Sequence, residues 1–166
     1  LRENCLGTFR NLLLSVSKDP AMLYWLDNQF NVKGKPNENF AREVMELFTL
    51  GIGNYSEKDV QEAARAFTGW TYGVGRRTID KPRGPSQFQF RAELHDSGTK
   101  SVLGNTGNFD GDDVCGILVG HPATAEFITK KMWEWFAYQK PEPELIKRLA
   151  AEFRNSGLNI KVLVKS

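Results

Sequence analysis

Apolar residues along this chain recur mostly at helical spacing. Near the start, Leu6, Phe9, Leu13 and Val16 fall three or four apart. Asp19 then Pro20 reads as the N-cap and first residue of a short second helix, because a proline there forfeits no hydrogen bond. The Asn-, Gly- and Pro-rich segment 28–36 reads as a loop. The next pattern predicts a helix over residues 38–50, capped by Asn37 and closed by Gly51. Its apolar side carries Phe40, Ala41, Val44, Leu47 and Phe48; its polar side carries Glu38, Asn39, Arg42, Glu43, Glu46 and Thr49. Ser56 with Asp59 resembles a capping box opening another helix, which buries Val60, Ala63, Ala64 and Phe67 and ends at Gly69.

The period then changes. Residues 71–86 hold Arg76, Arg77, Lys81 and Arg83 among glycines and prolines, and read as a flexible basic loop. Over 87–104, Phe88, Phe90 and Ala92 alternate with polar residues, predicting an inserted β-hairpin that turns at Asp96–Gly98 with Gly98 at positive φ. Helical spacing resumes after Asp110, after His121–Pro122, through Leu145, Ile146, Leu149 and Phe153, and finally after Asn159. In the third-last of these, Ile128, Met132, Trp135 and Phe136 fall on the core side, while Phe127 and Trp133 project toward charged neighbours, where they either bury against a neighbouring loop or form an interface. The expected architecture is a mainly α, multi-helix orthogonal domain spanning 1–166, with about seven or eight helices and one inserted β-hairpin.

Composition narrows the function classes. With 166 residues, 40% of them hydrophobic, one domain has enough apolar surface for a core. A formal net charge of +2 argues against a nucleic-acid binder, and no apolar run reaches the ~20 residues of a membrane span. Cys5 and Cys115 allow at most one bridge and lie in no metal-binding spacing; two half-buried thiols is the simplest reading.

Candidate chemistry concentrates in one set of polar residues: Asn39, Arg42, Glu43, Glu46, Arg65, His95, Asp96 and Lys100. Glu38–Arg42 and Arg42–Glu46 are i,i+4 pairs, each worth ~0.2–0.5 kcal/mol on an exposed helix, which explains half of the polar helix face without function. Arg65 is expected to join the two helices through Glu43 or Glu46, its fork matching a carboxylate. His95 and Asp96 are neighbours, but adjacency alone does not aim two side chains at one proton. Asp110, Asp112 and Asp113 fail the calcium-loop register: with Asp110 and Gly111 at its fifth and sixth positions, Thr106 and Ile117 stand at its first and twelfth. An acidic helix N-terminus suffices there, and no metal or cofactor is expected.

The stretch "PNENFAREVMELFTLGIGNYSEKDVQEAARAFTGW", residues 36–70, closely resembles a signature of the bacterial family catalogued as domain of unknown function eighteen-hundred. "LGTFRNLLLSVSKDPAMLYWLDN" before it, and "FRAELHDSGTKSVLG", "HPATAEFITKKMWEWF" and "LAAEFRNSGLNIKVLVKS" after it, extend the resemblance to nearly all of the chain. The resemblance implies a fragment of a longer, exported protein with a periplasmic, envelope or extracellular place; it implies no established activity. Two readings follow. One is a helical module binding a protein, a surface polysaccharide or the remainder of its own full-length chain. The alternative is a hydrolase-like enzyme using the Glu/Asn/Arg/His cluster.

Overall fold

The structure, a computed structural model, describes residues 2–73 and 86–166. These residues are mainly α, with eight α-helices and two small antiparallel sheets. The helices α1 (Phe9–Ser17), α2 (Pro20–Trp25) and α3 (Asn39–Glu43) precede α4 (Glu57–Ala66); α5 (Gly111–Gly120), α6 (Pro122–Phe136), α7 (Pro143–Asn155) and α8 (Ile160–Lys165) follow the sheets. Local signals set most boundaries. Asp19 caps α2, Ser56 and Asp59 form a reciprocal capping box on α4, and Asp110 with Asp113 form another on α5. His121 caps α6, its Nδ1 accepting from the Ala123 amide.

The chain of α3 does not continue as a regular α-helix. Val44–Thr49 is π-helical: the Leu50 amide donates to Met45 O at 2.7 Å, and the Thr49 hydroxyl donates to Val44 O at 2.7 Å. The wider turn rotates the following side chains, which exchanges two expected positions. Thr49, expected on the polar side, is buried; Leu47, expected on the apolar side, is exposed.

The strand pairing also differs from the expected single hairpin over 87–104. Strand β1 (Trp70–Gly73) pairs with β2 (Gln87–Phe90), placing Trp70 opposite Phe90 and Tyr72 opposite Phe88. Strand β3 (Lys100–Val102) pairs instead with β4 (Asn105–Gly107). A 3-10 turn over Ala92–Leu94 breaks the alternation after β2, and the hairpin turn is Leu103–Gly104, both at positive φ; Asp96–Gly98 forms a turn that joins no strand pair, and Gly98 does not take the expected positive φ because the Asp96 side chain accepts its amide. Residues 71–73, expected within the basic loop, are therefore strand; 74–85 lie outside the described residues.

The core centres on aromatic edges. Phe40 meets Phe67 at 5.0 Å between centroids, Phe67 meets Trp70 at 5.2 Å, and Trp70 meets Phe88 at 5.2 Å. Lys18 from α1 lies 5.1 Å above both Trp70 and Phe88 while its ammonium pairs with Asp112 at 2.6 Å, tying α1 to α5. On α6 the expected faces are inverted toward the C-terminal end. Trp133 packs against the core, whereas Trp135 is 83% and Phe136 74% exposed. Thr129 and Ala125, not the bulky residues, mark the buried line of that helix.

Candidate functional site

The eight polar residues divide between two places. Four sit on the α3 segment, where short-range partners take most of them. Asn39 donates to Leu26 O at 3.2 Å, and its own amide is held by Asn37 Oδ1. Arg42 keeps the expected bond to Glu38 at 3.2 Å but turns its fork to Glu57, at 2.9 and 2.6 Å, not to Glu46. That bidentate contact, chiefly through its hydrogen bond, raises the Arg42 pKa and lowers that of Glu57. Glu46 accepts from the Tyr55 hydroxyl at 2.7 Å; burial first, and this bond second, push the Tyr55 phenol up to about 12. Glu43 is half-buried and makes no hydrogen bond to the described residues.

The other four, Arg65, His95, Asp96 and Lys100, meet on the opposite flank of α4. Here the expectation for Arg65 is corrected. Its guanidinium binds Asp96 at 2.8 and 3.3 Å, Glu62 at 3.0 and 2.9 Å and Thr99 O at 3.2 Å, and neither Glu43 nor Glu46. The reason is angular. The α4 face turned to α3 carries Val60, Ala63, Ala64 and Phe67; Arg65 lies about 100° from Ala64, facing β3. The link between α3 and α4 falls to Arg42 and Glu57 instead.

Along that flank, α4 offers one polar group every three residues to the backbone of the 95–103 segment. Asp59 accepts the Leu103 amide at 2.7 Å, Glu62 the Ser101 amide at 3.0 Å, and Thr68 Oγ1 the Asp96 amide at 2.8 Å. Asp96 closes its own turn by accepting the Gly98 amide at 2.8 Å. His95 Nδ1 lies 2.9 Å from Thr68 O, which assigns the proton to Nδ1, so this ring nitrogen donates to the end of α4. Lys100 is 1% exposed and donates to Gly98 O at 3.0 Å; burial lowers its pKa. A segment with little regular pairing is thus hydrogen-bonded to a helix face.

Sequence reasoning missed several of these groups. Asp59, Glu62 and Thr68 were legible as a three-residue spacing continued through Arg65. Asn28 and Asn31, in a segment read only as loop, are buried: Asn28 donates to Trp70 O at 2.9 Å and Asn31 to Ala64 O at 2.9 Å, capping the carbonyl end of α4. Nothing in the local pattern singles them out.

The arrangement holds backbone; it does not present an acid or base to open space. Among the described residues none of the eight lines the larger cavities: a 430 Å³ cleft among the 50–54 loop, α6 and α7, a 460 Å³ apolar groove among α1, α6 and α8, a 420 Å³ apolar hollow between Val16 of α1 and Met22 and Trp25 of α2, and a 310 Å³ pocket among α6, α7 and α8. Among the described residues no three His, Cys, Asp or Glu side chains stand close enough to hold a metal, and no helix is long and apolar enough to cross a membrane. Cys115 is buried, its thiol pushed up to about 12 by desolvation, and Cys5 is exposed and unpaired; both are free thiols.

Acid should release this flank. Arg65, mainly through its hydrogen bonds, holds the Asp96 carboxyl at about 2, against 3.8 ordinarily. A depressed carboxyl contributes stability in full above its unfolded value and loses it as pH falls from about 4 toward about 2, here roughly 2 kcal/mol in all. Asp59 shifts in the same direction. Urea melts between pH 5 and 2.5 are expected to show a steep loss of stability, and Asp96→Asn, less stable at pH 7, a shallower one. Parallel curves for the two proteins would show that Asp96 is not held this way.

No curated protein and no solved structure matches this chain. The family described as "Protein of unknown function (DUF1800)" matches residues 1–166, and the chain belongs to it.

Proposed function

We propose that this chain is a non-catalytic helical binding module of an exported protein, docking a protein surface along α1, α6 and α8. The observation that carries the reading is the exposed apolar surface there. Trp135, Phe136, Leu6 and Val164 are each more than half exposed, beside a groove floored by Phe9, Leu12, Met132 and Leu163. Large aromatics left in water at this density are interface material. The groove offers few groups for sugar hydroxyls, with Lys131 its one charged side chain, so a protein surface fits it better than a polysaccharide. That surface belongs to another chain or to further segments of a longer one.

Two experiments bear on this. A photo-crosslinking residue at position 135 is expected to give protein adducts in cells, while the same probe at exposed Lys58 gives none; equal labelling at both overturns the docking face. The hydrolase alternative predicts turnover of phosphate-ester, sulfate-ester, carboxylic-ester or glycoside substrates that Glu43→Gln abolishes. The expected result is no turnover by parent or variant, since Glu43 faces no oriented partner among the described residues and no cavity.

A further inference from the structure

His121 and Arg154 line one small hollow of 270 Å³, where α5 passes into α6 and α7 passes toward α8. His121 caps α6: its Nδ1 accepts the Ala123 amide at 3.2 Å, so in the neutral ring the proton sits on Nε2. That Nε2 has no hydrogen-bond partner among the described residues and is not one of the buried unpaired atoms, so it stands in reach of solvent as a donor. Arg154, in the last turn of α7, donates from Nη2 to Pro122 O at 3.0 Å, which brings its guanidinium beside the His121–Pro122 peptide. The ion pairs within α7 are Lys147–Glu144 and Arg148–Glu152; among the described residues none involves Arg154, and no carboxylate lines the hollow. Two glycines keep the space open, since a Cβ at Gly120 or Gly157 would meet nothing within 4 Å.

We propose that this hollow binds a phosphate group, free or carried by a small ester, between the Arg154 guanidinium and His121 Nε2. A guanidinium has five N–H donors, and the bond to Pro122 O uses one, which leaves a forked edge for two oxygens. The His121 Nε2–H adds a donor from a second element. A tetrahedral oxyanion offers oxygens to both at once, whereas the fork alone already satisfies a flat carboxylate. The start of α6 is not the binding element. Pro122 has no amide hydrogen, and the amides of Ala123 and Thr124 are both taken by His121. Val119, Ala125 and Leu158 make the rest of the wall apolar, which suits a small ester group and disfavours a second charge. The volume far exceeds the ~30 Å³ share of one water, so the group fits with room beside it. The site shares no residue with the proposed docking groove and does not rest on that reading; along α6, His121 and Trp135 are about 20 Å apart.

The test titrates inorganic phosphate, methyl phosphate and acetate at constant pH and ionic strength, read by the ring resonances of ¹⁵N-labelled histidine. The chain has two histidines, so His95 serves as the internal control for His121. Saturable movement of the His121 signal by a phosphate is expected, with His95 unmoved and acetate binding more weakly. Tighter binding of methyl phosphate identifies an ester as the ligand, and tighter binding of the free ion identifies inorganic phosphate. Arg154→Gln should weaken the phosphates about tenfold. Gly120→Leu places a side chain in the open space without a clash; it should keep the melting temperature and abolish the His121 response. An unchanged His95 resonance in both variants shows that each has folded. Absence of saturable His121 movement overturns the site, as does a full response in Gly120→Leu. Unchanged affinity in Arg154→Gln, or acetate binding as tightly as phosphate, overturns the chemistry assigned to it.

Discussion

Arg65→Ala should cost about 3 kcal/mol and lower the melting temperature by roughly 6–12 °C for a domain of this size. The guanidinium holds two carboxylates, and both are largely shielded: the Asp96 side chain is 21% exposed and that of Glu62 19%. Truncation leaves those two negative charges beside each other with their common counter-ion gone, which is costlier than the loss of an exposed pair. It also frees Thr99 O and loosens the turn that delivers Lys100 into the core. Arg65→Lys should recover less than half of the loss, because a single ammonium cannot reproduce two forked contacts and a carbonyl bond. Chemical denaturation of the three proteins at pH 7 measures this, and an Arg65→Ala/Asp96→Asn cycle isolates the pair. A loss under about 1 kcal/mol for Arg65→Ala would mean that the flank of α4 is incidental to the fold.

That Arg65 is important was legible in the sequence; its partner was not. The distinction runs through the whole chain. Features decided within a turn or two of backbone were readable: the Ser56/Asp59 box, the helix start after Asp110, the Asp19–Pro20 start, and the helix-closing glycines at 51 and 69. Each is a local hydrogen-bond or steric requirement, which the residue types announce. Choices among distant partners were not. Residues 87–90 have the alternation of a strand, but alternation does not say whether 70–73 or 100–102 lies alongside. Likewise the π-helical turn at Val44–Thr49 leaves no mark in the apolar spacing, so the faces of Leu47 and Thr49 were exchanged. Trp135 and Phe136 failed for another reason: hydrophobicity predicts burial only where something covers the residue, and no described element does. The candidate site was half legible on the same logic. Four of the expected residues, Arg65, His95, Asp96 and Lys100, meet on the α4 flank, Asn39, Arg42, Glu43 and Glu46 lie apart from them on the α3 segment, and the flank's use in binding backbone emerged only once β3 was seen to lie against α4.

Gly69→Ala carries the other large effect, an expected loss of about 3–4 kcal/mol, or roughly 8–15 °C in melting temperature. Gly69 sits at φ +81°, where a side chain costs roughly 1–2 kcal/mol by itself. Space is the second obstacle. A Cβ there would stand 2.5 Å from Arg91 O and 3.3 Å from the His95 amide nitrogen, and these are backbone atoms that no rotamer change can move aside. Relief requires separating the end of α4 from the 91–95 segment. The Gly69 amide donates to Asn31 O at 3.0 Å and its carbonyl accepts the Arg91 amide at 2.9 Å, so that separation strains the buried asparagine network and the start of the 95–103 segment together. Gly104→Ala is the control. It shares a positive φ of 77° but meets nothing within 4 Å, so it should lose only the conformational part, about 1–2 kcal/mol. Melting both variants beside the parent separates strain from crowding. Equal losses at the two positions would show that the close approach of Arg91 and His95 to Gly69 contributes nothing, and that α4 and the segment it holds can part at no cost.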